Sequence, residues 1–122
     1  MTTFSTVPGL ENVVSGTASG NYDGSSQDWY SNAVPAANYY AGYGSIQTIR
    51  YALTGFVGTI TMEATLNDLP EQAQWFDISV RGDGSTPDSG VTTSTVTGNF
   101  SWIRARIEGF DSGNITAVSV SY

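Results

Sequence analysis

Between residues 49 and 122 the chain alternates apolar and polar positions with a period of two. Ile49, Tyr51 and Leu53 alternate with Arg50, Ala52 and Thr54. Ile60, Met62, Ala64 and Leu66 alternate with Thr59, Thr61, Glu63 and Thr65. Successive side chains of a strand point to opposite faces, so this spacing predicts half-buried antiparallel strands. Residues 55–58, Gly-Phe-Val-Gly, read as a turn between the two. Phe76, Ile78 and Val80 alternate with Asp77, Ser79 and Arg81, and residues 91–97 form a Thr-rich strand. Ile103, Ala105 and Ile107 mark another strand, out of phase by one with Phe100, which predicts a β-bulge near Ser101-Trp102. Asp111-Ser112-Gly113-Asn114 reads as a turn before the closing Val118, Val120 and Tyr122. No segment carries the period of an amphipathic helix.

Seven to eight short strands at regular spacing predict an all-β fold, an antiparallel β-sandwich of jelly-roll type. The expected core is Ile60, Met62, Ala64, Leu66, Phe76, Ile78, Val80, Ile103, Ala105 and Ile107. Residues 1–20 are rich in Gly, Ser and Thr and are expected to form an extended N-terminal arm holding at most an edge strand at Val13-Val14. Residues 21–122 then make one sandwich domain. Residues 21–45 are aromatic and Gly-rich and read as a long loop with at most one strand.

Composition narrows the function. The chain has 122 residues, enough for one core without staples. Four arginines and no lysine face eleven acidic residues, giving a net charge of −7. Such a surface does not displace counterions from nucleic acid and is not drawn to anionic lipid. Only 12% of residues are charged, about half the usual share. The polar surface is instead hydroxyl, amide and glycine, which suits packing against other protein. The first residues show no signal peptide, and no stretch is long and apolar enough to span a bilayer. The chain reads as a whole gene product.

The absence of His, Cys and Lys excludes Ser–His–Asp and Cys–His machinery and Schiff-base chemistry. A carboxylate pair of the glycosidase kind is left: Glu63 and Asp77 share an outward face. Arg104 and Arg106 point the same way, and ion pairing with them is the expected use of those carboxylates. No catalytic, cofactor or metal residue is therefore assigned. Two loops share a spelling, Asp23-Gly24-Ser25-Ser26-Gln27-Asp28 and Asp83-Gly84-Ser85-Thr86-Pro87-Asp88. They lack the alternate ligands and closing Glu of an EF-hand and read as Asp-Gly turns. Asn99-Phe100-Ser101 and Asn114-Ile115-Thr116 spell glycosylation sequons, but without a secretory signal they are read as chance matches.

Six aromatic residues crowd residues 22–43: Tyr22, Trp29, Tyr30, Tyr39, Tyr40 and Tyr43. Left in water they would form a large apolar patch. They are expected to be an intersubunit interface, with a glycan-stacking platform as the second reading.

Residues 55–66, GFVGTITMEATL, followed by Pro70 and Trp75-Phe76, resemble a known pattern. So do residues 97–106, TGNFSWIRAR, with Gly113-Asn114-Ile115-Thr116 and a closing Val-Ser-Tyr. Together they resemble small virion structural proteins of tailed bacteriophages, of the cyanophage and marine-phage type, over roughly residues 45–122. The resemblance implies a non-enzymatic jelly-roll protein of the virus particle, made in the host cytoplasm. Its partners would be other virion proteins and copies of itself. Its expected role is a capsid decoration or cement protein. A tail, baseplate or fibre component is the alternative, and a carbohydrate-binding module is the alternative of another class.

Overall fold

The computed structural model describes residues 4–36, 46–66 and 74–121. Within these the chain is all β: β1 (Phe4–Val14), β2 (Trp29–Tyr30), β3 (Val34–Pro35), β4 (Ile46–Thr65), β5 (Phe76–Arg81), β6 (Asp88–Thr97) and β7 (Trp102–Ser121). Every pairing is antiparallel.

Two long strands organise the rest. β4 and β7, 20 residues each, pair along nearly their whole length, from Thr48↔Ser121 to Thr65↔Trp102. The register slips where both strands bend, at residues 52–59 of β4 and the facing part of β7. The ladder folds over on itself there. Its first layer holds β1, the second half of β7, the first half of β4, and β6. Its second layer holds β2 and β3, the first half of β7, the second half of β4, and β5. That the layers face each other is clear from Tyr51 in the first, whose hydroxyl donates to Ser79 Oγ in the second at 2.7 Å. The all-β antiparallel sandwich expected from the alternation is the fold.

Glycine makes the bend possible. Gly113 (φ 87°) lies so close to Gly55 that a Cβ there would sit 2.1 Å from the Gly55 carbonyl oxygen. A Cβ on Gly82 (φ 92°) would sit 2.3 Å from the Gly58 oxygen. Only glycine combines positive φ with such close backbone approach. Residues 55–58 and 111–114, expected to be turns that end strands, are therefore bends inside continuous strands.

The core fills the space between the layers. Ile49, Tyr51, Leu53, Ile115, Val118 and Val120 come from the first; Ile60, Met62, Ala64, Ile103, Ala105 and Ile107 from the second. Six members of the expected core are thus buried, and Ile78 packs against it. Leu66, Phe76 and Val80 are exposed instead. A register shift between Met62 and Glu63 places a bulge in β5, so Ser79 and Arg81 turn inward and Val80 outward. The bulge expected at Ser101-Trp102 is replaced by the start of a strand: β7 begins at Trp102. Phe100 lies before it, buried, with its ring 5.7 Å from that of Phe76.

Most of the segment read as an N-terminal arm is strand. β1 runs along β7 with a shift between Thr6 and Glu11, and Leu10 and Val13 are fully buried. Their apolar side chains have a place in the core, which a free arm would leave in water. Within residues 21–45, read as a long loop with at most one strand, Trp29–Tyr30 and Val34–Pro35 form two two-residue strands on β7.

Candidate functional site

Alternation along β4 and β7 fixes which side chains leave the core on the second layer. Ile103, Ala105 and Ile107 point in, so Trp102, Arg104 and Arg106 point out. Cross-strand register sets Glu63 beside Arg104, Thr61 beside Arg106 and Thr65 beside Trp102. On the flanks, Asp77 of β5 lies against Glu63, and Tyr30 of β2 against Arg106.

Glu63 is the hub of this face. Its side chain is only 6% exposed. It accepts from Arg104 Nε at 2.9 Å through Oε1 and from Arg106 Nη1 at 2.7 Å through Oε2. Arg106 also donates to Glu108 Oε1 at 2.9 Å and reaches both Asp77 oxygens at 3.4 Å. The expected ion pairing of the outward arginines with Glu63 and Asp77 is present, and Glu108 joins it. The same geometry bears on Glu63 and Asp77 as a catalytic pair: the Arg106 guanidinium bridges them, and each carboxylate is already engaged.

Arg104 also lies over two aromatic rings. Its guanidinium carbon lies 4.5 Å from the Tyr30 ring centre and 4.3 Å from the Trp75 ring centre. Both distances fall within the range of cation–π attraction. Asn21 steadies the Tyr30 side of this stack by donating from Nδ2 to the Tyr30 carbonyl at 2.9 Å. The result is a preorganised patch of Tyr30, Arg104 and Trp75 over a buried carboxylate, with Trp102 beside it.

The aromatic residues expected to form an interface separate into three groups. Tyr22 and Trp29 are core residues: their rings lie 5.4 Å apart, and Tyr22 packs 5.0 Å from Phe110. They pack onto the sandwich because the bend in β7 carries Phe110 to them, a partner 81 or more residues away in sequence. Tyr30 is 48% exposed and stands on the patch. Tyr39, Tyr40 and Tyr43 lie outside the described residues. Trp75 and Trp102 were not among the expected site residues. The alternation that placed Arg104 outward also places Trp102 outward, so that signal was present in the sequence; Trp75 precedes its strand and had none.

The two look-alike loops are the same Asx turn. Asp23 Oδ1 accepts from the N–H groups of Ser25 (2.9 Å) and Ser26 (2.7 Å), and Asp83 Oδ1 from those of Ser85 (2.9 Å) and Thr86 (2.7 Å). These donors, Ser26 N–H foremost, hold the Asp23 carboxyl well below the usual carboxylate range. Those of Thr86 and then Ser85 bring Asp83 down to about 2. Each loop braces one bend. Asp28 accepts from Gly109 N–H at 2.9 Å, and Gly84 N–H donates to the Gly58 carbonyl at 3.2 Å. Residues 82, 83 and 86–88 line a pocket of about 310 Å³. Asp88 at its wall is bound to Arg81, which keeps its carboxyl in the ionised form. Among the described residues no three acidic side chains converge as a metal site.

Neither a protein-family model nor a curated protein matches the chain. Among solved structures it is similar to chitosan-binding module 1 of a chitosanase/glucanase from Paenibacillus sp. IK-5. The identity is 18%, the match covers 100% of this chain and 93% of that one, and the TM-score is 0.40.

Proposed function

We propose that this chain is a non-catalytic assembly module, a small structural protein that decorates the capsid exterior of a tailed phage and docks through the second-layer face around Arg104. The observation that carries the docking surface is the Tyr30–Arg104–Trp75 stack above the buried Glu63. Tyrosine, tryptophan and arginine are the residues that concentrate binding energy at protein interfaces. Here they are held in place before any partner arrives, which lowers the ordering cost of association. Glu63, Asp77 and Glu108 are each engaged by an arginine, so covering the face leaves none of these carboxylates without a partner.

The same stack narrows a sugar platform: the guanidinium takes one face of Tyr30 and of Trp75, so a pyranose would pack only on the other. The lack of catalysis rests on side-chain chemistry: no His, Cys or Lys, and the outward carboxylate pair bridged by Arg106. The virion setting rests on the phage-like pattern of residues 45–122, most of which builds the β4–β7 ladder.

The test is quantitative mass spectrometry of purified particles whose genome encodes this chain, with wild type and Arg104→Ala compared. Hundreds of wild-type copies per particle, lost in the variant while the isolated protein stays folded, is the expected result. A handful of copies moves the protein to baseplate or fibre, and absence from particles overturns the virion reading. Titration with a panel of soluble oligosaccharides closes the other branch: saturable binding abolished by Tyr30→Ala would make the face a glycan site.

A further inference from the structure

The first layer ends in two strands, β1 and β6, and the second in β5 on one side and the short β2 and β3 on the other. A free strand edge offers a row of unpaired N–H and C=O groups, and proteins guard such edges with charge, proline, bulges or brevity. Three of these edges are guarded. β1 contains Pro8, which has no N–H, an interrupted register between Thr6 and Glu11, and Asn12 at φ 54°. β5 has six residues, a bulge and the charged Asp77. β2 and β3 have two residues each.

Beyond the register shift and Asp88 at its start, β6 has none of these guards from Gly90 to Thr97. It is ten residues long and pairs with β4 through eight consecutive partners, Ile46↔Thr97 to Leu53↔Gly90, without a shift. From Ser89 to Thr97 it contains no ionisable residue and no proline, and Asp88 at its start is neutralised by Arg81. Its far end is fixed by Gln47, whose Nε2 donates to the carbonyls of Val96 (3.0 Å) and Gly98 (3.1 Å). Among the described residues no strand pairs with its other edge.

We infer that β6 is a self-association edge: two copies of this chain pair β6 against β6, antiparallel across a two-fold axis, and join their first layers into one continuous eight-stranded sheet. This rests on charge and strand geometry, and stands whether or not the Arg104 face docks to a capsid. A second copy is the occupant because the edge is complementary to itself: residues 89–97 carry no charge, so pairing with its own copy sets no like charges side by side despite the net charge of −7. Two like-charged molecules associate where their carboxylates are kept apart, and β6 is the long edge without them. A two-fold axis normal to the sheet keeps outer side chains with outer ones, so the register centres on a single residue. The outer row is Val91, Thr93, Thr95 and Thr97, the partners of Ala52, Arg50, Thr48 and Ile46. Centred on Thr93, the pairing sets Thr93 against itself and Val91 against Thr95. Such hydroxyl and β-branched pairs favour sheet formation. The nearest like charges, Arg50 of each copy, then lie three strand spacings apart, about 14 Å. That exceeds the Debye length of about 8 Å at physiological salt.

Sedimentation and cysteine cross-linking test this, the latter made clean by the absence of native cysteine. The wild type is expected to sediment with two-chain mass at high micromolar concentration. Thr93→Lys combined with Thr95→Lys, at exposed positions, is expected to give one-chain mass with an unchanged thermal midpoint. Under mild oxidation Thr93→Cys is expected to form a disulfide-linked dimer, since cross-strand partners lie within disulfide reach. Thr116→Cys, exposed on the same layer but away from the edge, is expected to form no disulfide-linked dimer. Tyr30→Ala should leave the mass unchanged, which separates this inference from the docking face. A wild type of one-chain mass throughout, a Lys variant that remains dimeric, or equal cross-linking at positions 93 and 116 would overturn it.

Discussion

Replacing Glu63 with alanine removes the one carboxylate that both outward arginines share. The magnitude follows from the geometry. Glu63 accepts two charge-assisted hydrogen bonds, at 2.9 and 2.7 Å, and its side chain is almost wholly buried. A hydrogen bond to a charged group contributes about 1.5–3 kcal/mol net, so two undiscounted bonds set an upper figure of roughly 6 kcal/mol. Two features reduce it. Both arginine side chains are about a quarter exposed and regain water, and Arg106 keeps Asp77 and Glu108. The expected loss is therefore about 2–3 kcal/mol, below the 3–5 kcal/mol typical of breaking a fully buried pair. For a chain of this size that is a fall in thermal midpoint of roughly 10 °C. Denaturant titration of wild type, Glu63→Ala and Asp77→Ala checks it. Asp77 is 54% exposed and contacts Arg106 only at 3.4 Å, so its removal should cost less than about 0.5 kcal/mol. A Glu63→Ala loss as small as that of Asp77→Ala would refute the hub.

Three further outcomes are expected. Ile103→Ala, at a fully buried site in the second layer, should cost about 2–5 kcal/mol by opening a cavity, read from the denaturation midpoint. Gly113→Ala should destabilise by at least about 2 kcal/mol, because its Cβ would overlap the Gly55 carbonyl. Gly55→Ala, where a Cβ meets open space, should cost only about 1 kcal/mol for its positive φ. Tyr51, with its phenol pushed up to about 12 by burial and only partly offset by Ser79, should contribute an absorbance step well above the ordinary tyrosine value of about 10. Its folded pKa is raised, so its contribution to stability is complete below an unfolded value of about 10 and is lost as pH rises toward 12.

Some of this architecture was legible in the sequence for a plain reason. Residues 60–64 and 103–107 alternate strictly, each strand has one dry face, and a slip of one residue would bury Glu63 or Arg104 in the core. The same argument placed Glu63, Arg104 and Arg106 on one face before any register was known. β5 resisted because a bulge adds a residue without leaving a mark in the alternation: Phe76, Ile78 and Val80 look like a core face, yet Val80 is 60% exposed. Tyr22 and Trp29 resisted because what covers them is Phe110, delivered by a bend in a strand that begins 72 residues after β2 ends. Local pattern carries no trace of such a meeting.

The bend also explains why the molecule's surfaces differ. A straight β4–β7 ladder would expose one apolar face along its full length. Folding it at the two glycine-rich bends closes that face on itself, so burial is met within one chain. What remains for recognition is the outer side of each layer and the free edges. On the second layer, cross-strand register gathers Arg104, Arg106 and their carboxylate partners into one ion-paired cluster and roofs it with Tyr30 and Trp75. On the first, β6 is left long, regular and neutral. Carboxylates elsewhere oppose association of like copies. The proposed coat role calls for one contact with the coated surface and another between copies, and the folded ladder leaves a face for the first and an edge for the second.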